Sequence, residues 1–400
     1  MSNVVPDGWN NKIFADAITL SYGKSPKEIF AEDGTYPVVG TGGITGYTNH
    51  YLHEGYTTVV GRKGSINNPS FFSDKFWAID TTYYASNYKD TDAKWFFYLL
   101  QSIDLTKYNE ASGVPSLNRD TLYSISFIAP PLPEQQKIAA ILTSVDEVIE
   151  KTQAQINKLK DLKTGMMQEL LTRGVGVDGK PHTEFKDSPK WTTGKISEIT
   201  KIPLSWELVN INDVARLESG HTPSRDNVEY WGGEYQWLSL HDTKELNTPI
   251  IKKTKLSITQ AGLDNSSARL LPIGTVAFSR TASVGHCVMF GKSMATSQDF
   301  ANYVCGEKLS PRYLLQLFRW MQHVWNRLSE GSTHKTIYMP TFKKLQILLP
   351  PIKEQFKIAD IIESIDNDIN KSIGKLYQYK NLKKALMHDL LTGKVRVNVD

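Results

Sequence analysis

A chain of 400 residues exceeds one typical core, which sets an expectation of two or three domains. Apolar residues make up 40% and charged residues 22%, as in ordinary globular proteins, and no apolar run approaches the roughly 20 residues of a membrane span. Two cysteines with no Cys/His cluster argue against a disulfide framework or a structural zinc, and a net charge of +4 is too weak to argue for nucleic acid by itself.

The N-terminal stretch MSNVVPDGWNNK has neither a basic n-region nor an apolar h-region, so no signal peptide is expected and the chain reads as cytoplasmic. Residues 1–132 form the first globular unit. YPVVGTGGITGYTNHY, GYTTVVGRKGS and WAIDTTYYAS alternate apolar and polar residues between glycine-rich turns and predict short strands, whereas DAKWFFYLLQSID predicts a helix. NPSFF at 68–72 resembles the Asn-Pro-Pro-Tyr/Phe motif of amino-methyltransferases, with Ser70 in place of the second proline. That chemistry also needs a glycine-rich cofactor turn entering a helix. GTGGITG at 40–46 is flanked by strand-like sequence on both sides, so a turn-rich loop is expected there.

Residues 133–173 predict a long helix. Its apolar stripe steps by three and four through Ile138, Ile141, Leu142, Val145, Ile149, Ile156, Leu159, Leu162, Met166 and Leu170. Residues 174–203 are polar and read as a linker. Residues 204–352 form a second globular unit, in which SPRYLLQLFRWMQHVW predicts a helix. Residues 353–393 predict a second long helix, and residues 394–400 a short tail. Its stripe runs Ile358, Ile361, Ile362, Ile365, Ile369, Leu376, Tyr379, Leu382, Leu386 and Leu390, position for position with the first.

The correspondence is a repeat without gaps at an offset of 220 residues. It includes Pro130/Pro350, Glu134/Glu354, Gln135/Gln355, Ile138/Ile358 and Asp146/Asp366, and continues to Lys163/Lys383 and Leu171/Leu391. Pro6-x-x-Trp9 and Pro203-x-x-Trp206 mark a second repeat, ahead of each helix, at an offset of 197, and EASGVPSLNRDTLYSISFIAPP weakly echoes EGSTHKTIYMPTFKKLQILLPP. Gly174 and Gly393 are placed as helix stops. A helix of about 40 residues spans roughly 60 Å, too long for one small core alone, so the two stripes are expected to pair as a coiled coil. Ile138, Ile141, Val145, Leu159 and Leu162 on the first helix, and Ile358, Ile361, Ile365, Tyr379 and Leu382 on the second, are the helix–helix packing positions expected in that pairing.

No paired metal-binding histidines, Gly-x-Ser-x-Gly elbow or Walker loop occurs, so no catalytic residue and no metal ligand is nominated. Polar loops with Arg/Lys, hydroxyls and glycines recur instead at corresponding places of the two units. Arginine reads guanine bidentately, Ser/Thr/Asn bond base edges or phosphates, and glycine permits close backbone approach. The candidate DNA contacts are Lys24, Thr41, Arg62, Lys63, Ser65 and Ser112 in the first unit. In the second they are His221, Thr222, Arg225, His241, Arg280, Ser283, Ser332, His334 and Lys335. Any one of these loops taken singly also reads as a solvated loop.

The two PP-(L/I)-x-EQ-x-KIA-x-I-(L/I) segments at 130–142 and 350–362, the LLT(R/G) helix ends, HTEFKDSP at 182–189 and the Pro-x-x-Trp pairs resemble the specificity subunit of Type I restriction–modification systems over essentially the whole chain. Lys353 departs from Pro133, and the linker before Pro203 is drawn out. The resemblance implies an α+β fold. Two target recognition domains of mixed strands and helices would be separated by two long helices in an antiparallel coiled coil, with pseudo-twofold arrangement. It implies a non-catalytic DNA-recognition subunit reading a bipartite double-stranded DNA target. Two modification subunits and the restriction subunits would be its partners. S-adenosylmethionine, ATP and Mg²⁺ would be bound by those partners and no cofactor by this chain. An adenine methyltransferase with fused recognition and a structural adaptor that binds no DNA are the alternatives.

Overall fold

Each proline pair of the repeat ends a strand and starts a long helix. Strand Ser126–Ala129 leads into helix Leu132–Thr172, and strand Gln346–Leu349 into helix Ile352–Leu391. Proline has no N–H to donate, which costs nothing in a first helical turn. The computed structural model describes residues 5–192, 199–329 and 335–399. Contacts divide the chain into two units, Met1–Gln155 with Ser372–Asp400, and Ile156–Lys371, so each unit contains part of both long helices.

In the first unit a four-stranded antiparallel sheet runs in the order Ile18–Tyr22, Thr82–Tyr88, Thr57–Gly61, Ser70–Phe72. Helix Ala93–Ser102 covers it, and Phe14, Trp95, Phe96 and Tyr98 are fully buried. A smaller sheet contains the hairpin Tyr36–Gly40/Gly43–Thr48. In the second unit the central sheet has five strands, in the order Ala215–Ser219, Phe300–Cys305, Val276–Ser279, Cys287–Phe290, Ile250–Ile251. Helix Pro311–Trp320 packs on it. Its first three strands match the first three of the other unit in order and pairing. The additional residues of the second unit lie between strands Trp231–Leu238 and Val276–Ser279, and include the short strand Ile250–Ile251.

Within each unit the two long helices run antiparallel. In the first, Ile138 and Leu142 share a core with Leu390 and Leu391. In the second, Met167, Leu170 and Leu171 share one with Ile358 and Ile362. One ion pair appears twice with its partners exchanged: Lys383–Asp146 at 2.7 Å in the first unit and Lys163–Asp366 at 2.6 Å in the second. Ile141, Val145, Leu159, Ile361, Ile365 and Tyr379 are half-buried. Leu162 and Leu382 depart from the expected packing, being 51% and 48% exposed. The stripe passes instead through their neighbours Lys163 and Lys383, whose stems lie inward and whose amines reach the carboxylates. A straight helix drifts against a three-and-four pattern, and here the drift moves the inward position on by one residue.

The recurring Glu-Gln is explained by two sockets. Glu134 is buried and accepts the Trp9 indole N–H at 3.2 Å, and Arg396 grips both its oxygens at 2.8 Å. Glu354, also buried, accepts the Trp206 indole N–H at 3.1 Å and the backbone N–H groups of Val175 and Gly176, and lies 2.8 Å from His182 Nε2. Gln135 and Gln355 accept the N–H of Asp92 and Ser310, the N-caps of the covering helices, and donate back to Pro130 and Pro350. The helix stops Gly174 and Gly393 have φ of +72° and +69°, and a Cβ there would collide with Trp206 and with Pro6 respectively. The segment expected as a linker contains a ribbon, Phe185–Asp187 paired with Lys201–Pro203; residues 193–198 of it lie outside the described residues. Backbone pairing satisfies amides that a polar composition alone leaves unassigned.

Candidate nucleic-acid interface

At one end of the first unit, strand ends and loops are laced together by backbone bonds. Arg62 N donates to Thr81 O at 2.8 Å, and Leu117 N donates to Arg62 O at 2.9 Å. Gly64 N donates to Pro115 O at 2.8 Å, Lys63 bridges Ser116, and Lys24 N donates to Ala78 O. Gly23 must be glycine, because a Cβ would run into the carbonyls of Ala78 and Ile79. Thr41 Oγ1 approaches Gly64, which joins the hairpin tip to the same group. Lys24, Lys63, Ser65 and Ser112 are exposed, while Thr41 and Arg62 are half-buried. Asn109 pins the loop bearing Ser112 by accepting from Ala111 N and Ser116 N.

The second unit repeats the lacing. Arg280 N donates to Asp299 O and Ile337 N to Arg280 O, both at 2.9 Å; Thr281 bridges Thr336, and Ala282 N donates to Lys335 O. Ala282, with φ +55°, stands where the first unit has Gly64, with φ +96°. A left-handed alanine stores strain that a fully bonded loop can hold. Gly220 matches Gly23, with its would-be Cβ against Thr296 and Ser297, and His221 N donates to Thr296 O. Thr222 donates to Gln298 Oε1 at 2.5 Å and Thr281 to Asp299 at 2.7 Å. The Arg280 side chain is itself tied, its Nε donating to Gln298 O at 2.9 Å.

The structure therefore groups His221, Thr222, Arg280, Ser283 and Lys335. Arg225 and His241 are exposed but their side chains form no bond to this group; His241 lies just past strand Trp231–Leu238. Ser332 and His334 lie outside the described residues. A groove of about 1360 Å³ extends from His221 along strand Ala215–Ser219, with Arg216, Arg269, Lys308 and Lys343 on its walls and Glu218 taking Arg216 and Arg269.

Sequence reasoning missed Tyr22 and Arg119. Tyr22 ends strand Ile18–Tyr22, 45% exposed and edge-on to buried Tyr83. Burial, with Tyr22 alongside, pushes the Tyr83 hydroxyl up to about 12. Arg62 and Arg119 both lie over the Tyr22 ring. The available signal was the Arg119 charge within a repeated segment whose counterpart is Met339. NPSFF places both its phenylalanines in strand Ser70–Phe72, where Phe71 meets Phe97 and Phe72 stacks on Phe76, and GTGGITG spans the two-residue turn and the paired strand ends of the hairpin Tyr36–Gly40/Gly43–Thr48 in place of the expected loop. Neither adjoins the start of a helix. Among the described residues no helix is long and apolar enough to cross a membrane.

A family model for the type I restriction modification DNA specificity domain matches residues 6–161 and 203–376. Among curated relatives, the chain is 25% identical over 423 residues to the type I restriction enzyme MjaVIII specificity subunit of Methanocaldococcus jannaschii, covering 98% of this chain and 94% of that one. It is 30% identical over 181 residues to the MjaIX specificity subunit of the same organism, where the match spans 44% of this chain and only 42% of the relative. The fold is similar to that of the solved S subunit of a type I system from M. genitalium, with a TM-score of 0.62 at 12% identity, covering 98% and 97% of the two chains. Two matched domains, two matched loop ends and a whole-length relative place this chain in the type I restriction–modification DNA specificity family, whose members are DNA target recognition subunits.

Proposed function

We propose that each unit reads one half of a bipartite double-stranded DNA target through its laced loop end, residues 1–132 supplying one reader and 204–352 the other. The carrying observation is that the same loop end is built twice, with Arg62 and Arg280 in equivalent backbone settings. Lys24, Thr41, Lys63, Ser65 and Ser112 would serve the first half-site, and His221, Thr222, Ser283 and Lys335 the second. Backbone-held loops suit such reading, because phosphate contacts set register while a few side chains reach base edges. In this reading the long helices set the untouched spacer between the half-sites.

The chain itself is non-catalytic and cytoplasmic in this reading. Two modification subunits dock on the helices and bind S-adenosylmethionine, and restriction subunits supply the chemistry that needs ATP and Mg²⁺. Exposed apolar side chains on the helices, among them Leu162, Phe356, Tyr377 and Leu382, are consistent with docking of protein partners. The test is methylation of a randomised DNA pool by the chain reconstituted with its modification subunits. The expected product is one asymmetric target with two specified halves. Methylation without a defined spacer, or with a single specified half, would refute the reading.

A further inference from the structure

Two arginines of the first unit converge on one tyrosine and, among the described residues, have no acidic partner. The guanidinium carbons of Arg62 and Arg119 lie 5.7 Å and 5.1 Å from the centre of the Tyr22 ring. Among the described residues neither guanidinium donates a hydrogen bond or makes an ion pair, and the Nε of each is buried without an acceptor. The Tyr22 backbone is held in register opposite Tyr83, so the ring that both cations cover is fixed by the sheet.

A tyrosine face attracts a cation, but two cations over one ring also repel each other. A buried guanidinium N–H without an acceptor is a further cost. Other arginines of this chain resolve the same problem internally. Arg396 grips Glu134, Arg312 holds Asp360 and Glu363, and Arg280 donates to Gln298 O. The second unit has Ser219 in the place of Tyr22 and Met339 in that of Arg119, so the unsatisfied pair belongs to the first unit alone. What the pair lacks is an acceptor that carries negative charge.

We infer that Tyr22, Arg62 and Arg119 form a clamp for a backbone phosphate of the half-site read by the first unit. The inference rests on the recognition reading above and deepens it. A guanine edge would need a guanidinium held in one plane by neighbouring hydrogen bonds, which neither arginine has, whereas a phosphodiester oxygen accepts from either over a range of orientations. Lying over Tyr22 limits the freedom of both side chains before DNA arrives, and the single negative charge of the phosphate offsets half of the charge they bring together.

The test measures affinity against salt for the complex with its modification subunits, on the target duplex and on duplexes substituted at each base of the first half-site. Arg119→Gln is expected to weaken binding about tenfold at moderate salt and to make the salt dependence shallower by about one unit, by the same factor on every duplex. Arg119→Lys keeps the charge and should restore the slope, which a purely structural role would not do. Tyr22→Phe should bind as wild type and Tyr22→Ala as Arg119→Gln, because the ring and not the hydroxyl is used. A folded Arg119→Gln complex with unchanged slope overturns the clamp. So does a loss confined to one base pair, which would make Arg119 a base reader. If the wild-type complex does not distinguish its target from the substituted duplexes, the recognition reading fails and the clamp falls with it.

Discussion

Arg62 and Arg280 occupy the same backbone position of the two units, each held by the amide and carbonyl of its loop neighbours. Their side chains part company. Arg62 lies over Tyr22 with no side-chain hydrogen bond among the described residues, while Arg280 donates to Gln298 O. The sockets show the same division. Glu134 and Glu354 both accept a tryptophan indole, but the remaining charge is met by Arg396 in one unit and approached by His182 in the other. Backbone bonds and buried carboxylates hold the frame whatever the surface side chains are. The side chains at the loop ends can therefore differ between units without disturbing the core.

The most drastic way to break the comparison is to exchange one unit. Replacing residues 5–128 by the equivalent unit of a relative is expected to change one half of the target completely and leave the other half and the spacer alone. Sequencing the methylated sites of cells carrying the hybrid checks this, and a change in both halves would mean that the units do not read separately.

Lengthening the helices tests the frame that the units share. Four residues added near Gln155 and four near Lys375, roughly one turn in each helix, add about 6 Å. With about 3.4 Å per base pair, the spacer should grow by one or two base pairs with half-site bases unchanged. Selection from a randomised pool reads the outcome, and an unchanged spacer in an active complex would exclude the helices as the ruler.

The sockets should be local. Glu354→Ala orphans the Trp206 indole and two backbone N–H groups and should destabilise the second unit by about 2–4 kcal/mol. Glu134→Ala should do the same in the first unit, seen by hydrogen exchange resolved along the chain. Equal loss of protection in both units after either substitution would contradict this. Arg280→Ala should weaken specific binding by about 1–3 kcal/mol if the residue reads a base, or lower the salt slope by about one unit if it holds a phosphate. Titration of binding against salt separates the two, and no change in either places Arg280 outside the interface.

The smallest effect concerns acid. Burial raises the pKa of the Glu134 carboxyl, but hydrogen bonding and charge from Arg396 and the Trp9 indole outweigh burial and hold it below the ordinary 4.5. A depressed folded value stabilises the first unit fully above the unfolded value, and that stability is lost as pH falls through the folded one. Arg396→Met should remove this contribution, so the variant's first unit is already weakened near neutral pH and loses less on acidification. A denaturation series from pH 6 to pH 3 checks the difference in slope, and parallel curves for variant and wild type would count against it.

The doubled architecture was legible because periodic apolar residues and repeated Pro-Pro and Glu-Gln pairs are local signals, and both long helices and the covering helix Ala93–Ser102 follow from them. Helix Pro311–Trp320 was legible too, but the predicted segment breaks at Met321 before Gln322–Leu328 resumes, a detail set by packing around Trp325. Candidate loops were legible by composition only. Arg62, Thr41 and Lys24 lie on three separate loops of the sequence, and nothing in their spacing says that the sheet brings them together.

By itself the sequence determined the repeat, the helices and the residue types offered at each loop, since these depend on spacing along one chain. Only the tertiary structure decided that the stripe passes through Lys163 and Lys383 in place of Leu162 and Leu382, that the tail residue Arg396 closes on Glu134, and that Arg119 meets Arg62 over Tyr22. Each of these joins residues distant in the chain, and their energies depend on burial and on which charges share a small volume. Those quantities are set by how the strands and helices pack.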